Sequence, residues 1–84
     1  MLLTIDVGNT NISMGILDGE NIIGRYRLMT QTTRTSDEYG FFITTFLNTL
    51  ELKASDITGI IISSVVPKLM YSLTSAVIKY LHQK

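Results

Sequence analysis

Residues 2–17 read Leu-Leu-Thr-Ile-Asp-Val-Gly-Asn-Thr-Asn-Ile-Ser-Met-Gly-Ile-Leu, and this stretch decides the fold. Successive side chains in 2–6 and in 11–17 fall on alternate faces, with apolar residues gathered on one face, as in a β-strand. Between them, Val7-Gly8-Asn9-Thr10 predicts a turn, because Gly and Asn both tolerate a positive φ angle. We therefore predict a β-hairpin whose apolar face carries Leu3, Ile5, Ile12, Met14 and Ile16.

A third strand follows this hairpin in the sequence. Asp18-Gly19 is a strong signal for a tight turn between strands. Residues 22–29 then predict a strand that places Arg25 and Arg27 on one face. The first three strands therefore form an antiparallel meander.

The second half of the chain predicts helix, strand and helix. Thr35-x-x-Glu38 is a capping box, and apolar residues then recur at helical spacing through Leu50. Residues 59–63 are short, apolar and rich in Ile, which predicts a buried strand. Pro67 suits the first position of a second helix that extends to residue 81. The order β-β-β-α-β-α predicts an α/β fold with a mixed sheet, the ribonuclease-H-like plan, ending before its fifth strand.

Composition excludes several classes of protein. The 84 residues include 7 Lys plus Arg and 7 Asp plus Glu, so the net charge of zero argues against a nucleic-acid or membrane partner. There is no Cys and one His, which excludes disulfides and Cys- or His-rich metal sites. No apolar run reaches the ~20 residues of a spanning helix, and the N-terminus lacks the basic region of a signal peptide. We predict a cytoplasmic protein.

The chain is unusually apolar for its size. Mean hydropathy is +0.28 and charged residues make up 17%, below the ~25% of average soluble domains. Small domains have much surface to cover with polar residues. We therefore expect part of this surface to be covered by another domain or subunit, most simply in a homodimer.

The stretch Asp6-Val7-Gly8-Asn9-Thr10-Asn11 carries the clearest chemistry. Asp6 ends a predicted strand, and the backbone N–H groups from Gly8 to Asn11 are expected to converge into an anion-binding nest. A carboxylate beside phosphate donors suits Mg²⁺, which prefers oxygen ligands and bridges to phosphates. A plain hairpin turn explains the same residues on local chemistry alone. The stretch is not a Walker loop, because it lacks G-x-x-x-x-G-K-[ST].

Weaker candidates lie elsewhere. Ser63-Ser64-Val65-Val66-Pro67 joins a predicted strand to a helix N-terminus, where anions bind, although local chemistry favours serines that only satisfy helix-end N–H groups. The pair Arg25 and Arg27 suits a phosphate or a solvated strand face. Arg34 lies in a polar loop, and His82 suits a cap at a helix C-terminus.

Three motifs in register resemble one family, the type III pantothenate kinases. They are Leu2-Leu3-x-Ile5-Asp6-x-Gly8-Asn9-Thr10-Asn11, Thr35-x-Asp37-Glu38-Tyr39, and Ile61-Ile62-Ser63-Ser64-Val65-Val66-Pro67. The resemblance spans nearly all 84 residues, in the order and spacing of that family. That family belongs to the superfamily of actin, sugar kinases and heat-shock ATPases.

The resemblance implies a function and a set of site residues. These kinases transfer phosphate from ATP to pantothenate in the first step of coenzyme A synthesis, as dimers that need Mg²⁺ and a monovalent cation, K⁺ or NH₄⁺. Asp6 would organise the metal and the phosphates. The ATP-binding residues implied are Asp6, Val7, Gly8, Asn9, Thr10, Asn11, Ile12 and Ser13.

The rest of the family's machinery has no counterpart in this sequence. The resemblance places the catalytic aspartate, the pantothenate site, the monovalent-cation ligand and the adenine site beyond residue 84, so no catalytic residue is assigned here. It implies that residues 1–84 are a partial N-terminal phosphate-loop domain, inactive alone, of a two-domain kinase. Two alternatives stay open: a non-enzymatic regulatory relative, and a self-associating β-rich module.

Overall fold

The computed structural model describes residues 1–82 as one mixed sheet with two helices. The elements are β1 (Leu2–Val7), β2 (Asn11–Asp18), β3 (Asn21–Met29), α1 (Ser36–Thr49), β4 (Gly59–Ser64) and α2 (Met70–Leu81). The strands pair in the order β3-β2-β1-β4, with β1 antiparallel to β2 and parallel to β4. The predicted order of elements and the mixed α/β class are confirmed.

Two details differ from the prediction. Val7 is the last residue of β1 and pairs with Ile12, so it is not part of the turn. Pro67 does start a helical segment, but Pro67–Leu69 is a separate 3₁₀ turn, and α2 begins only at Met70. A short 3₁₀ turn, Ala54–Asp56, also precedes β4.

The sequence signals for the turns and caps are realised in detail. Gly19 has a φ of 63° in the two-residue turn between β2 and β3, a conformation that favours glycine. At the start of α1, Thr35 Oγ1 accepts the Glu38 N–H at 3.2 Å, and Glu38 Oε1 accepts the Thr35 N–H at 2.9 Å. This reciprocal cap satisfies N–H groups that would otherwise lack partners at the helix end.

One face of the sheet is buried beneath both helices. Leu3, Ile5 and Ile16 are at most 1% exposed, as the alternation predicts. Tyr26 of β3 stacks on Phe46 of α1 with ring centroids 5.4 Å apart. The two helices approach closely at Gly40. A Cβ at this position would overlap the Tyr80 ring, so the close approach depends on glycine.

The opposite face of the sheet, here called the open face, has no helix packed on it within residues 1–82. Its side chains alternate with those of the core, and they include polar residues such as Asp6 and Ser13 together with apolar ones such as Leu17, Ile22 and Ile61. No helix in the described part of the chain is long and apolar enough to span a bilayer. The open face therefore presents polar and apolar side chains together.

Candidate functional site

Strand register brings four polar side chains into one row across the open face. Asp6 of β1 pairs with Ser13 of β2 on one side and with Ser63 of β4 on the other. Ser13 in turn pairs with Arg27 of β3. Partner residues on neighbouring strands point to the same face, and all four are exposed. The row therefore runs Arg27, Ser13, Asp6, Ser63.

A groove of about 610 Å³ lies along this face. Gly15 lines the groove, where a Cβ would lie 3.1 Å from Thr4 Oγ1, and Thr4 Oγ1 donates to the Gly15 carbonyl at 3.4 Å. Its lining includes Asp6, Ser13, Leu17, Ile22, Arg25 and Arg27. The groove thus combines a carboxylate, a hydroxyl and two guanidinium groups with an apolar end.

The turn between β1 and β2 is closed by its own backbone. The Gly8 N–H donates to the Asn11 carbonyl at 2.9 Å, so it is not available to a ligand, and the predicted nest lacks its first donor. Among residues 1–82, neither Gly8 nor Asn9 has a positive φ, contrary to the reason given for the turn. Space is instead tight at Gly8, because a Cβ there would lie 3.1 Å from the Asn11 oxygen.

Two N–H groups at the tip of this turn are free. Within the described residues, the backbone N–H groups of Asn9 and Thr10 have no hydrogen-bond acceptor, and both residues are exposed. The Asn11 and Ser13 side chains are exposed beside them. Such a cluster of unused donors suits an anion.

Two of the predicted site residues face the core. Val7 and Ile12 are each 1% exposed and lie in the hydrophobic core, so their side chains cannot reach a ligand in solvent. They would take part only through their backbone. Their burial holds the two ends of the turn in place.

A residue that the sequence reasoning missed ties this turn to β3. Thr30 Oγ1 donates to the Gly8 carbonyl at 2.8 Å, and the Thr30 N–H donates to the Thr10 carbonyl at 2.9 Å. Thr30 directly follows β3, whose Met29 pairs with Asn11. The sequence offered one signal for this contact. A Thr directly follows the predicted third strand, in a position to extend the strand pairing by one residue to Thr10.

The Asp6 carboxylate has no partner of its own. Within residues 1–82 it makes no hydrogen bond or ion pair, and no group of three or more His, Cys, Asp or Glu residues could hold a metal. A lone exposed carboxylate beside hydroxyl groups does fit Mg²⁺, which keeps several waters and binds through one or two carboxylates plus phosphates. It does not fit a metal held entirely by protein ligands.

The second sequence candidate adjoins the first. The Val65 N–H donates to the Val7 carbonyl at 3.0 Å, so the loop after β4 lies against the end of β1. Ser64 Oγ accepts the Val66 N–H at 2.9 Å and is used within that loop, whereas Ser63 is exposed beside Asp6. Ser64 therefore satisfies the loop backbone, and α2 has no side-chain cap.

The remaining candidates lie apart from this row. The Arg34 guanidinium lies 4.9 Å from the ring centroid of Phe42 in α1. Its Nη1 is buried and has no hydrogen-bond partner within the described residues. His82 closes α2 as a left-handed cap with a φ of 57°, and its N–H donates to the Ile78 carbonyl.

Comparison with known proteins places these features in a family. A relative named type III pantothenate kinase from Bifidobacterium longum subsp. infantis is 51% identical over 81 residues, which is 96% of this chain and 32% of the relative. One of that name from Geobacillus kaustophilus is 46% identical over 84 residues, 100% of this chain and 33% of the relative. The chain spans about a third of the length of these relatives. A family model for type III pantothenate kinase matches residues 2–84, and the chain therefore belongs to the type III pantothenate kinase family.

Proposed function

We propose that a protein carrying these residues phosphorylates pantothenate with ATP, and that Asp6 to Ser13 form its phosphate-binding loop. The observation that carries the proposal is the free N–H groups of Asn9 and Thr10 beside the unpaired Asp6 carboxylate. The names of the relatives supply the reaction. Membership in the family and the exposed loop chemistry support the same assignment.

The loop would bind the phosphates through its backbone. Free N–H donors can bind an anion even where no positively charged side chain takes part, because each supplies a partial positive charge aimed at the ligand. The Ser13 hydroxyl and the Arg27 guanidinium extend this donor set along the row. The bond between Gly8 and Asn11 keeps the turn tight, so that its tip projects toward the ligand.

Asp6 would hold Mg²⁺ through its carboxylate, with the remaining positions filled by water and phosphate oxygens. When bound, the metal neutralises charge that develops on the transferred phosphoryl group. Asp6 is exposed and unpaired within the described residues, so it needs no rearrangement to take this role. A monovalent cation, K⁺ or NH₄⁺, would bind outside residues 1–84.

These residues alone would not catalyse the transfer. Phosphoryl transfer depends on holding the acceptor oxygen in line with the γ-phosphate, and orientation can supply ~7–11 kcal/mol of the barrier reduction. The chain spans about a third of its relatives, and the loop supplies one wall of a cleft. We propose that the acceptor site and the adenine pocket lie in the remainder, in a cytoplasmic homodimer.

The decisive experiment is a phosphate-transfer assay from labelled ATP to pantothenate. The 84-residue chain would be compared with a protein that joins it to the remaining two thirds of the Geobacillus kaustophilus relative. We expect turnover in the joined protein and none in the 84-residue chain. Equal turnover in both would show that the site is built within these residues. No transfer by the joined protein, with intact folding by circular dichroism, would instead favour a non-enzymatic relative.

A further inference from the structure

We propose that Thr30 is a positioning residue for the phosphate loop: it sets the direction of the Asn9 N–H by holding the Gly8 carbonyl. The inference rests on the proposed function of Asp6 to Ser13. Thr30 would touch neither ATP nor pantothenate. It would act through the loop backbone alone.

Thr30 makes two hydrogen bonds to the same turn. Thr30 donates from its side chain to Gly8 and from its backbone to Thr10, at 2.8 and 2.9 Å. The residue between these two acceptors is Asn9, whose own N–H is free within the described residues. Thr30 therefore holds the turn on both sides of its free donor.

Because a peptide group is planar, a fixed Gly8 carbonyl also fixes the direction of the Asn9 N–H. In a trans peptide the C=O and the following N–H point in opposite directions and lie in one plane. When Thr30 Oγ1 fixes the Gly8 carbonyl, it also fixes the plane that contains the Asn9 N–H. The donor then points away from Thr30, toward the exposed side of the turn. Without the hydroxyl, this peptide could rotate and the donor would lose its preset direction.

Thr30 is itself held from the other side. The next residue, Gln31, accepts a hydrogen bond from the Tyr39 hydroxyl at 3.2 Å through its carbonyl oxygen. The ordinary pKa of a tyrosine phenol, 10.0, already leaves it protonated at neutral pH, and burial raises the pKa of Tyr39 further. Tyr39 lies in the core-facing first turns of α1. Thr30 is thus placed between a fixed helix and the loop.

The test compares Thr30→Val with three other variants in the joined full-length protein. Val keeps the shape of Thr and removes the hydroxyl, whereas Thr30→Ser keeps the hydroxyl. Thr49→Val is the matched control, because Thr49 Oγ1 makes the same kind of bond, to the Phe46 carbonyl, at the far end of α1. Thr30→Ala serves as a second hydroxyl-free variant. The readouts are Mg-ATP affinity by calorimetry, both KM values, and hydrogen exchange of the Gly8 amide.

We expect Thr30→Val to weaken Mg-ATP binding by roughly three- to tenfold, the range that one hydrogen bond supplies. The KM for pantothenate should not change, and the Gly8 amide should exchange faster. Thr30→Ser should restore both, and Thr49→Val should leave both at the wild-type value. Unchanged affinity and exchange in Thr30→Val, or an equal loss in Thr49→Val, would overturn the inference. A wild-type protein that binds Mg-ATP without phosphorylating pantothenate would refute the proposed function and leave this comparison valid.

Discussion

Asp6 and Ser63 are partner residues on the parallel strands β1 and β4, and both side chains are exposed on the open face of the sheet. They lie 57 positions apart in the chain, and the crossover through α1 brings them together. Parallel pairing aligns the carboxyl ends of strands, which is where ligands bind in α/β sheets. This pairing brings the two sequence candidates together as one candidate site.

Asp6→Asn should lower activity strongly without loss of stability. In the full-length protein we expect turnover to fall roughly 100-fold or more, because a metal-positioning carboxylate is worth several kcal/mol in the transition state. The thermal midpoint should not fall, since Asp6 is exposed and has no partner within residues 1–82. Steady-state kinetics and a thermal melt measure both, with Glu20→Gln, in an exposed turn, as the control. Near-normal turnover in Asp6→Asn would remove Asp6 from the site.

Gly8→Ala should weaken both ATP binding and the turn. A Cβ would lie 3.1 Å from the Asn11 oxygen, so the hydrogen bond that closes the turn must lengthen. We expect destabilisation of about 1 kcal/mol, together with a higher KM for ATP. Gly19→Ala is the control, since its φ of 63° costs a similar amount, ~1–2 kcal/mol, far from the loop. An equal rise in KM for both variants would attribute the effect to stability.

The contact of Asp37 in α1 with Lys79 and Tyr80 in α2 should stop contributing to stability in acid. Hydrogen bonds from Lys79 and from Tyr80 hold the pKa of Asp37 below its ordinary value of 3.8. A group whose pKa is lower in the folded state contributes stability above its unfolded pKa and loses it as the pH falls through the folded pKa. The contribution of Asp37 should therefore be complete at neutral pH and disappear below pH 3.8.

This dependence can be measured as a difference between variants. The gap in thermal midpoint between wild type and Asp37→Asn should be constant near neutral pH and close in acid. Asp18→Asn, an exposed carboxylate at the end of β2, is the matched control and should show no such gap. A gap for Asp37→Asn that persists well below pH 3.8 would contradict the assigned cause.

The 84-residue chain should self-associate. Several large apolar side chains are exposed, and Tyr71 of α2 reaches 83%. Burial of such surface is favourable at ~25 cal/mol per Å². We expect dimers or larger species in size-exclusion chromatography with light scattering, and a clean monomer at high micromolar concentration would contradict this. The exposed residues are Ile22, Ile23, Met29, Phe41, Ile61, Val65, Tyr71 and Ile78.

Local signals determined most of the fold. Alternation in β1 and β2 set which side chains enter the core, because a one-residue slip would expose every apolar residue of a strand. The turn between β2 and β3 is set locally by Asp18-Gly19. The start of α1 is set by the reciprocal hydrogen bonds between Thr35 and Glu38. Each of these depends on residues within a few positions of one another, so a sequence pattern contains the information.

The site depended on contacts between distant parts of the chain. No local pattern indicates that Arg27, Ser13, Asp6 and Ser63 share a row, because this depends on the register of three strand pairs. The two hydrogen bonds of Thr30 could not be predicted for the same reason, since their acceptors lie about 20 positions earlier. The residue types of a site can be recognised in the sequence. Which of them meet is set by strand pairing and helix packing, whose energies come from residues far apart in the chain.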